Sequence, residues 1–549
     1  MLRKIRRVMA AAAMAAALTV VSTAFAANVP TGVKVPPLGY DSTSVWLMWD
    51  RPANGDNVAY YNVYADGQLL GSTTKSSATF GTANIAAFEE QNQALCGNLL
   101  IRHSFKASNL KPGTAYQFTV RAVASDGTMS APSQAVAMMT AQAPKVLSVV
   151  QYGAKGDGTT VDTAAIQKAI DACPSGGVVE IPAGVFVSGA LTLKSDMTLQ
   201  LDSNAVLRAS TNPADFTIRK GKRYTGLLNA YSAKNVRITG TGTIDGNGWK
   251  TDANGNYIKA KNIDNKGWRA PNHVLNVGIA AKTQTQSLLD QGRTFLRAYD
   301  GRSTTMQLHD LDNFYMEGVT VCNPAMHLIQ LDGDNVTFNN VRLLSYDANN
   351  GDGIDFTGQG LIVANSYLDT GDDAINFSAG LGAEAAKRPP VGPAWIFNNY
   401  VAHGHGGVVL GSHTASWIEH VLAEDNVFNG TEIAFRCKTN QGSGGGGRYS
   451  TFRHNVAKNM VRQGIIFTTK YTDTNAVGQF KAAVNPGYFH DMLIEDCNFE
   501  GTKRSAIEIY STGSFKHKNI TFRNVHFTKA QPYSLTGYEN VNFENCTLD

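Results

Sequence analysis

A short pattern recurs through the C-terminal half of the chain: alternating apolar and polar residues, then Asn or Asp, then a turn. It reads Val336-Thr-Phe338-Asn-Asn340, Leu361-Ile-Val363-Ala-Asn365, Trp395-Ile-Phe397-Asn-Asn399, Val421-Leu-Ala423-Glu-Asp425, Leu493-Ile494-Glu-Asp496, Ile520-Thr-Phe522-Arg-Asn524 and Val541-Asn-Phe543-Glu-Asn545. A unit of a few tens of residues cannot bury a core alone, so successive units must stack on one another. A second series of strands runs in phase with the first: Ile329-Gln-Leu331, Ile354-Asp-Phe356, Ile375-Asn-Phe377, Val408-Val-Leu410, Phe435-Arg-Cys437, Ile465-Ile-Phe467 and Ile507-Glu-Ile509. Two strands in every unit predict a right-handed parallel β-helix.

A stacked architecture converts repeat positions into spatial columns, because equivalent residues of successive coils lie about 4.8 Å apart. Chemically capable side chains stand just before the second strand, or on it, in four consecutive coils. They are Asp352, the pair Asp372 and Asp373, His405, and then Arg436 with Lys438. The register therefore predicts one patch that contains three carboxylates, an imidazole and two cations.

Two or three carboxylates in a groove can hydrolyse a glycosidic bond. One carboxyl group, kept protonated by its charged neighbours, protonates the leaving oxygen, while another activates water or attacks the sugar carbon. This chemistry requires no metal and no cofactor, and no Cys/His spacing in the chain is typical of zinc. Taken alone, each motif would have a structural explanation. Asp372-Asp373 would be a solvated turn, His405 an incidental turn residue, and Arg436 and Lys438 part of an exposed strand face. Their shared register across four coils favours a catalytic site instead.

The N-terminus indicates export. A basic start, Met1-Leu-Arg3-Lys4-Ile-Arg6-Arg7, precedes an alanine-rich apolar run and the small-x-small sequence Ala24-Phe-Ala26. We expect a secretory leader cleaved near Ala26 and a secreted or periplasmic protein. The alternative, a retained anchor, is disfavoured because the apolar run is shorter than the roughly 20 residues that a membrane span needs.

Charge argues against a nucleic-acid partner. The chain has 48 basic and 44 acidic residues, and four of the basic residues belong to the predicted leader, so the mature protein is near neutral. Any anionic partner must then be held by a local cationic cluster. No segment after the leader is predicted to cross a membrane.

Two domains follow the leader. Residues 29–142 carry short alternating strands separated by Pro, Gly and Asp turns, the pattern of a small β-sandwich. Leu110-Lys-Pro112-Gly113-Thr114-Ala-Tyr116-Gln-Phe118, with Trp49, resembles a fibronectin type III module into which residues 83–105 are inserted. We expect a structural spacer, with polysaccharide binding as the alternative. We expect residues 145–549 to form the β-helix and a helix starting near Asp162 to cap its open end.

The cluster carries a family resemblance. Asn350-Gly-Asp352-Gly-Ile-Asp355, Gly371-Asp372-Asp373, Gly404-His405-Gly406 and Arg436-Cys-Lys438 resemble the four ordered motifs of the polygalacturonases, glycoside hydrolase family 28. The stretch Thr241-Gly-Thr-Ile-Asp245-Gly-Asn-Gly248 is similar to another segment of that family.

The resemblance implies a role for each matched residue. Asp372 would be the general acid, Asp352 and Asp373 would activate water with inversion at the anomeric carbon, and His405 would support the acid or hold the Asp pair by a structural hydrogen bond. Arg436 and Lys438 would bind the sugar carboxylate, with Asn350 and Tyr471 as further substrate contacts. The first motif departs from the family's common Asn-Thr-Asp by having Gly351, which leaves the side-chain support of Asp352 open.

The predicted substrate is polygalacturonate or its oligogalacturonides, the de-esterified chains of pectin. Segments at about 250–305, 379–394 and 471–489 interrupt the coils around the site, and long loops in a compact array are usually functional. We expect them to close one end of the groove. Together with the N-terminal sandwich they resemble bacterial exo-polygalacturonases, which implies release of mono- or digalacturonate from the non-reducing end. The alternatives are an endo-polygalacturonase, a calcium-dependent pectate lyase and a non-catalytic polysaccharide-binding β-helix.

Overall fold

The computed structural model describes residues 27–53, 57–74, 79–219, 222–249, 279–346, 348–471, 479–512 and 515–549. The leader predicted for residues 1–26 lies outside these ranges, as do residues 250–278 and 472–478 of two predicted insertions. The longest helix in the described ranges has 12 residues, and no described helix has the length and apolarity to cross a membrane.

The N-terminal domain is a β-sandwich of two antiparallel sheets around a buried core that includes Trp49 and Tyr61. Its strands are β1 Val45–Met48, β2 Tyr60–Ala65, β3 Gln68–Ser72, β4 Ser104–Ala107, β5 Ala115–Val123 and β6 Val136–Met139. One sheet pairs β1 with β4, and the other has the order β3-β2-β5-β6. The segment predicted to be an insertion folds into the helices α1 Phe80–Gln91 and α2 Gln93–Cys96.

The remaining strands form the β-helix: in the described part of the chain, 33 strands make one continuous parallel sheet. The first coils use β7 Val146–Ser148, β8 Asp157–Val161, β9 Gly177–Ile181, β10 Gly184–Ser188, β11 Leu191–Thr192, β12 Met197–Leu201 and β13 Ala205–Ala209. A separate hairpin of β14 Ile218–Arg219 and β15 Arg223–Tyr224 follows. The middle coils use β16 Leu228–Tyr231, β17 Lys234–Gly240, β18 Thr243–Asp245, β19 Met306–Glu317, β20 Thr320–Cys322, β21 Ile329–Asn339, β22 Arg342–Leu344, β23 Ile354–Ala364, β24 Tyr367–Asp369, β25 Ile375–Phe377, β26 Ala394–Phe397 and β27 Tyr400–His403. The last coils use β28 Val408–Leu410, β29 Ile418–Glu419, β30 Val421–Glu424, β31 Val427–Asn429, β32 Phe435–Lys438, β33 Gly446–Arg453, β34 Val456–Met460, β35 Ile465–Thr468, β36 Tyr488–Thr502, β37 Ile507–Tyr510, β38 His517–Thr528, β39 Ser534–Thr536, β40 Tyr538–Glu544 and β41 Thr547–Leu548. The predicted fold class, a parallel β-helix preceded by a β-sandwich, is confirmed.

The Asn and Asp residues of the repeat have a conformational cause. Asn340, Asn365, Asn398, Asp425 and Asp496 all adopt the left-handed backbone conformation, with φ between 50° and 57°. Asn and Asp tolerate this conformation better than other residues with a side chain, and it lets the chain turn sharply from one strand column to the next. The sequence pattern therefore marks one turn of every coil.

A helix closes the N-terminal end of the β-helix. Helix α3, Thr163–Ala172, begins after Asp162 and buries Ile166, Ala169 and Ile170 against the first coils. The apolar core continues from there through the coils as one cluster. Covering the open end hides the core and the strand edges of the first coil from water.

The sandwich and its inserted helices dock on the turn residues of successive coils. Polar contacts join Phe80 to Asn340, Gly81 to Asn365, Ile101 to Asn398, and Arg51 to Asp425. An apolar cluster beside them contains Ile85, Phe88, Cys96, Leu100, Val427 and Val456. The domain therefore lies against the coils, and its buried contacts include charged ones.

The interruptions between coils contain helices α4 Ala280–Asp290, α5 Phe295–Tyr299 and α6 Gly382–Ala385. Three short 3-10 segments complete the described helices: Val149–Tyr152, Pro213–Asp215 and Gln441–Ser443. Helix α6 contacts the segment after residue 479, where Ala383 N donates to the Lys481 carbonyl over 2.9 Å.

Candidate active site

Parallel pairing of β23, β25, β28 and β32 brings the predicted site residues together. Ile354, Ile375, Val408 and Phe435 are aligned in these strands, so the residues just before or after them share one face. Oxygen atoms of Asp352, Asp372 and Asp373 all lie within 4.8 Å of one another. Such spacing forces carboxyl groups to influence each other's protonation.

Asp373 is held by both predicted carboxylate-binding cations. Arg436 Nη1 donates to Asp373 Oδ1 over 2.9 Å, and Lys438 Nζ donates to Asp373 Oδ2 over 2.6 Å. Burial alone would lower the pKa of both cations, but the negative charge of Asp373 and its neighbours raises each one. The ring of Tyr471 lies beside them, 4.7 Å from the Lys438 Nζ to the ring centre. Four of the eight predicted residues thus form one charged cluster.

His405 lies against Asp372. The distance from His405 Nδ1 to Asp372 Oδ1 is 3.0 Å, and Glu432 Oε1 is 3.9 Å from His405 Nε2. Burial disfavours the imidazolium, but the hydrogen bond and charge of Asp372, with Glu432, raise the pKa of His405 to about 9. Burial would raise the pKa of Asp372, but His405, Lys438 and Arg436 hold it below its usual value. At neutral pH this pair carries one proton, located on His405.

Asp352 lies in the opposite electrostatic situation. Burial and the negative charges of Asp372 and Asp373 raise its pKa well above the usual value. Its partner is His327, whose Nδ1 is 2.7 Å from Asp352 Oδ1 and 3.5 Å from Asp355 Oδ2. Burial, followed by the charge of Asp352, raises the pKa of Asp355 to about 7, and burial lowers that of His327. Asp352, Asp355 and His327 therefore share protons near neutral pH.

Gly351 is explained by local packing. A Cβ atom at this position would lie 2.6 Å from the Ala348 carbonyl oxygen and 2.8 Å from Ser345 Oγ, so a larger residue does not fit this backbone. Ser345 Oγ instead donates to the Gly351 carbonyl and accepts a hydrogen bond from Gly371 N over 3.0 Å. A single serine therefore links the turn before Asp352 to the turn before the Asp pair, which supplies the support that the sequence left open.

Asn350 lines the same cleft at the edge of the cluster. Its Oδ1 is 3.4 Å from Nη2 of Arg302, a fully buried arginine that donates to the Tyr299 and Ala325 carbonyls. The Arg302 guanidinium also lies 3.5 Å from the centre of the Tyr299 ring. Arg302 thus ties helix α5 to the loop that carries Asn350.

These residues line a cleft of about 1290 Å³. Asp352, Asp372, Asp373, Lys438 and Tyr471 occupy one part of its wall, and Asn350 lies nearby. The predicted insertions contribute to the other walls through Leu296 and Arg297 of α5 and through Gln479. A volume of this size accommodates more than one sugar unit.

Sequence reasoning missed His327, Asp355 and Arg223, which also line the cleft. Ile329 aligns with Ile354 in the sheet, so His327 stands one coil before Asp352 in the same column, and extending the column by one coil would have found it. Asp355 belongs to the first motif, and its alternation with Ile354 and Phe356 places it on the cleft side. Arg223 lies in the hairpin outside the repeat, where no periodic signal exists.

Comparison with known proteins gives three matching family models: the glycosyl hydrolases family 28 over residues 296–547, the rhamnogalacturonase A/epimerase, pectate lyase-like family over 146–355, and the fibronectin type III domain over 28–138. The chain is 40% identical over 555 residues to an exo-poly-alpha-D-galacturonosidase of Dickeya chrysanthemi, covering 95% of this chain and 91% of the relative. It is 27% identical to an endo-polygalacturonase of Pectobacterium parmentieri over 76% of this chain and 95% of that protein. The solved structure of a family 28 exopolygalacturonase of Yersinia enterocolitica superimposes with a TM-score of 0.86 at 36% identity, covering 95% of this chain and 97% of the other.

Proposed function

This chain belongs to the glycosyl hydrolases family 28, and from that premise we propose that it hydrolyses the α-1,4-galacturonosidic bonds of polygalacturonate and releases mono- or digalacturonate from the non-reducing end. One observation carries the assignment: three carboxylates lie within 4.8 Å of one another, and two cations lie directly beside them. The carboxylates provide acid and base for glycoside hydrolysis, and the cations provide recognition of a uronic acid.

The general acid in this proposal is Asp372, acting together with His405. An acid must carry a proton, whereas the charges around Asp372 in the ligand-free site favour its ionised form. His405 holds the proton of the pair 3.0 Å away. A sugar carboxylate bound at Arg436 and Lys438 would offset the positive charge that keeps Asp372 ionised. The proton then moves along the existing hydrogen bond onto Asp372, which delivers it to the leaving oxygen.

Asp352 and Asp373 activate the attacking water. Arg436 and Lys438 orient the Asp373 carboxylate by donating a hydrogen bond to each of its two oxygens. Asp352 has a raised pKa, so once its proton has passed to a neighbouring group its ionised form is a stronger base than an ordinary carboxylate. His327, at 2.7 Å, is the nearest group able to accept or return that proton. Attack from the side opposite the leaving oxygen gives inversion.

Substrate charge discriminates this function from cleavage of neutral polysaccharides. Arg436 and Lys438 have more donors than Asp373 uses, so a sugar carboxylate can bind to the remaining N–H groups. Tyr471 lies against the same two side chains and limits how far they can move. Methyl-esterified galacturonan, which lacks the carboxylate, should be a poor substrate.

The exo mode is favoured by the relative at 40% identity and by the structural neighbour at 36%, both of which are named exo-acting enzymes. It also agrees with the position of α5, which lines the cleft outside the coil repeat. An endo-acting enzyme needs a groove open at both ends, so that a polymer can lie across it.

The decisive experiment measures products released from polygalacturonate by the purified protein. We expect mono- or digalacturonate from the first minutes, a slow fall in viscosity, and reducing ends without ultraviolet-absorbing unsaturated sugars. The activity should persist in EDTA, whereas a calcium-dependent lyase would stop. An early ladder of mid-sized oligomers would indicate endo cleavage, and full function of the Asp372→Asn variant would indicate a binding protein.

Export completes the proposal. The relatives named above degrade galacturonan, and the basic-apolar-small pattern ending at Ala26 is typical of a cleaved leader. N-terminal sequencing of the protein recovered outside the cytoplasm should begin near Ala27, and recovery of the intact chain in the membrane fraction would contradict cleavage.

A further inference from the structure

Aromatic side chains form a row on the outer face of the β-helix, on a side of the coils separate from the cleft. The five rings are Trp417, His420, Tyr449, Tyr488 and His490, and none of them lines the cleft. The Trp417 and Tyr488 ring centres are 5.5 Å apart, and those of Tyr449 and His490 are 5.7 Å apart. The His420 ring stacks on Tyr449 at 5.5 Å. We call these rings, together with Arg448 and Lys518, the aromatic patch.

Strand pairing produces this row. Strands β29, β33, β36 and β38 lie side by side in successive coils and align Glu419, Arg448, His490 and Lys518. Side chains adjacent to this column in β29 and β36 belong to the buried core, so the column faces outward. Three strand spacings of about 4.8 Å make the row roughly 14 Å long. The next residue of the column is Glu539, so the patch ends at β38.

Both cations of the patch lie on rings. The Arg448 guanidinium is 4.8 Å from the centre of the Trp417 ring and 5.3 Å from that of Tyr449. Lys518 Nζ is 5.7 Å from the centre of the Tyr488 ring. A cation within about 6 Å of an aromatic ring centre is attracted to the electron-rich face of the ring. The rings therefore hold two cations next to an apolar surface.

The cleft contains the same combination. Lys438 Nζ lies 4.7 Å from the centre of the Tyr471 ring, and the Arg436 guanidinium lies 6.0 Å from it. In the proposed function these two cations bind the sugar carboxylate. The aromatic patch thus repeats, outside the cleft, the pairing of ring and cation that is assigned there to a uronic acid.

The carboxylates of the patch are already engaged. Glu419 Oε2 accepts a hydrogen bond from Arg448 Nε over 2.7 Å and lies 2.6 Å from Nη2 of the same guanidinium. Asp491 Oδ2 lies 2.6 Å from His490 Nδ1. Within the described ranges, Lys518 forms no ion pair. A further anionic group can therefore bind to Lys518 without displacing a partner.

This surface is suited to an acidic polysaccharide. One face of a pyranose carries C–H groups, which pack on an aromatic ring, and a uronic acid adds a carboxylate that a neighbouring cation binds. Tyr449 is 47% exposed, so its ring is accessible, and an exposed group of large rings is typical of an interaction surface. A polymer of uronic acids presents both chemical groups at every unit and can follow a row of rings across successive coils.

The patch belongs to the coils that carry the proposed active site. Strand β32, which carries Arg436 and Lys438, is followed in the same coil by β33, which carries Arg448. The sandwich covers the next face of these coils, because β30 pairs with β26, whose Phe397 stacks on Trp46 of the sandwich at 6.4 Å. The patch is therefore an accessible face close to the cleft and beside the docked sandwich.

We propose that the aromatic patch binds a polygalacturonate chain outside the cleft and keeps the enzyme on the polymer between cleavage events. This inference rests on the proposed function, because it takes the same polymer as its ligand. Chain ends are scarce in a long polymer, so an enzyme that acts on ends gains from a second attachment, which raises the effective concentration of nearby ends at the cleft. Short oligosaccharides, which cannot reach from the patch to the cleft, gain nothing.

Kinetics on a long and a short substrate test the patch. The test variant combines Tyr449→Ala with Lys518→Gln, and its conservative form combines Tyr449→Phe with Lys518→Arg. We expect the test variant to raise KM for polygalacturonate at least about fivefold with kcat unchanged, as for loss of one aromatic and one cationic contact. Its KM for trigalacturonate should change less than about twofold, and the conservative form should behave as the unsubstituted protein. Tyr538→Ala, which removes a similarly exposed tyrosine from β40, is the matched control and should change neither KM.

Affinity electrophoresis measures binding without turnover. In the Asp372→Asn background, polygalacturonate in the gel should retard the parent protein more than the form that also carries Tyr449→Ala and Lys518→Gln, whereas an uncharged galactan should retard neither. Equal retardation of the two proteins by polygalacturonate would overturn the proposal, and retardation by galactan that depends on the patch would overturn its uronate specificity. Equal retardation together with loss of a self-associated species in sedimentation velocity would assign the patch to protein contact instead.

The outcomes separate this inference from the function on which it rests. An unchanged ratio of KM values for polygalacturonate and trigalacturonate in the test variant would overturn the patch and leave the hydrolase assignment intact. Absence of hydrolysis of both substrates would overturn the proposed function. The gel measurement would then decide, without any activity, whether the patch binds the polymer.

Discussion

Removal of one buried charge should loosen the sandwich from the β-helix. Asp425 is fully buried at the turn of the coil that carries His405, and its carboxylate is bound by Arg51 of the sandwich and by Ile101 N over 2.8 Å. His103 Nε2 lies 3.3 Å from the other carboxylate oxygen. The perturbation is Asp425→Asn. Asn occupies the equivalent left-handed turn position in Asn365 and Asn398, so the coil itself should be unaffected.

The size of the effect follows from the ion pair. Burial would raise the pKa of Asp425, but the charge of Arg51 and the bonds from His103 and Ile101 lower it to about 2. A carboxyl group whose pKa is lowered by folding stabilises the folded state at pH values above its ordinary pKa. This stabilisation is lost as the pH falls through the folded-state pKa of about 2. The shift corresponds to about 2 kcal/mol at neutral pH. Breaking a buried pair by removing one partner typically costs about 3–5 kcal/mol, because the remaining charges stay buried. We therefore expect a loss of about 2–5 kcal/mol.

The assay is urea unfolding at pH 7, with hydrolytic activity measured at low temperature in parallel. Asp496→Asn is the matched control, because Asp496 has the same turn conformation and contacts His454 and Asn524 of the β-helix. The control should cost less than 1 kcal/mol, and both variants should retain activity within about twofold of the unsubstituted protein. A loss for Asp425→Asn no larger than that of the control would refute the idea that this ion pair anchors the sandwich.

Four further predictions concern the site. Asp372→Asn should lower kcat at least about a hundredfold, the scale of general acid catalysis, while the variant remains folded at the assay temperature; near-normal turnover in steady-state assays would remove Asp372 from the acid role. Arg436→Ala should chiefly raise KM for oligogalacturonides, and equal rates on free-acid and methyl-esterified pectin would contradict carboxylate recognition. His405→Asn should move the alkaline limb of the kcat/KM profile to lower pH, because the pair loses a group whose pKa is raised to about 9 and that keeps its proton until the pH rises through that value; an unmoved limb would limit His405 to a structural role. Proton NMR of the first product should show inversion at the anomeric carbon. The carboxylate oxygens lie within 4.8 Å of one another, closer than the roughly 6.5–9.5 Å between carboxyl groups that is usual for inverting enzymes. A retained configuration would therefore contradict water attack and indicate direct attack by a carboxylate.

The repeat made the fold predictable because its turn chemistry is visible in single residues. An Asn or Asp at the left-handed turn position, as at Asn365 and Asn398, is the residue that the backbone requires, so a structural constraint leaves a sequence mark. The same register fixed the relative positions of Asp352 and Asp373, since strand spacing converts order along the chain into distance. The protonation states of the site residues could not be predicted from this register. The proton of the Asp372 pair lies on His405, against the effect of burial, because of their hydrogen bond and of charges from several coils, which no local pattern encodes.

The role of Gly351 depends on packing and cannot be inferred from the motif alone. In comparison with the family's common Asn-Thr-Asp motif, Gly351 lacks the side chain of the central residue. In the structure, the Ala348 carbonyl oxygen lies 2.6 Å from where a Cβ would stand, and Ser345 bridges the turn before Asp352 and the turn before Asp372. Ser345 is six residues before Gly351 and occupies no motif position, so its role depends on how the loop folds back.

The features that lie outside the repeat are also the ones that sequence reasoning could not place. Arg223 belongs to a two-strand hairpin with no counterpart in other coils, and its proximity to Gln330 arises from tertiary packing over more than a hundred residues of chain. The interdomain contacts also arise from tertiary packing. The sequence alone indicates a solvated turn at Asp425, but in the structure Arg51, 374 residues earlier, contacts its carboxylate. The β14–β15 hairpin lines the cleft through Arg219 and Arg223, whereas the proposed acid and base come from the coils. Exchange of the β14–β15 hairpin, rather than of catalytic residues, is therefore the change that should alter the number of sugars removed.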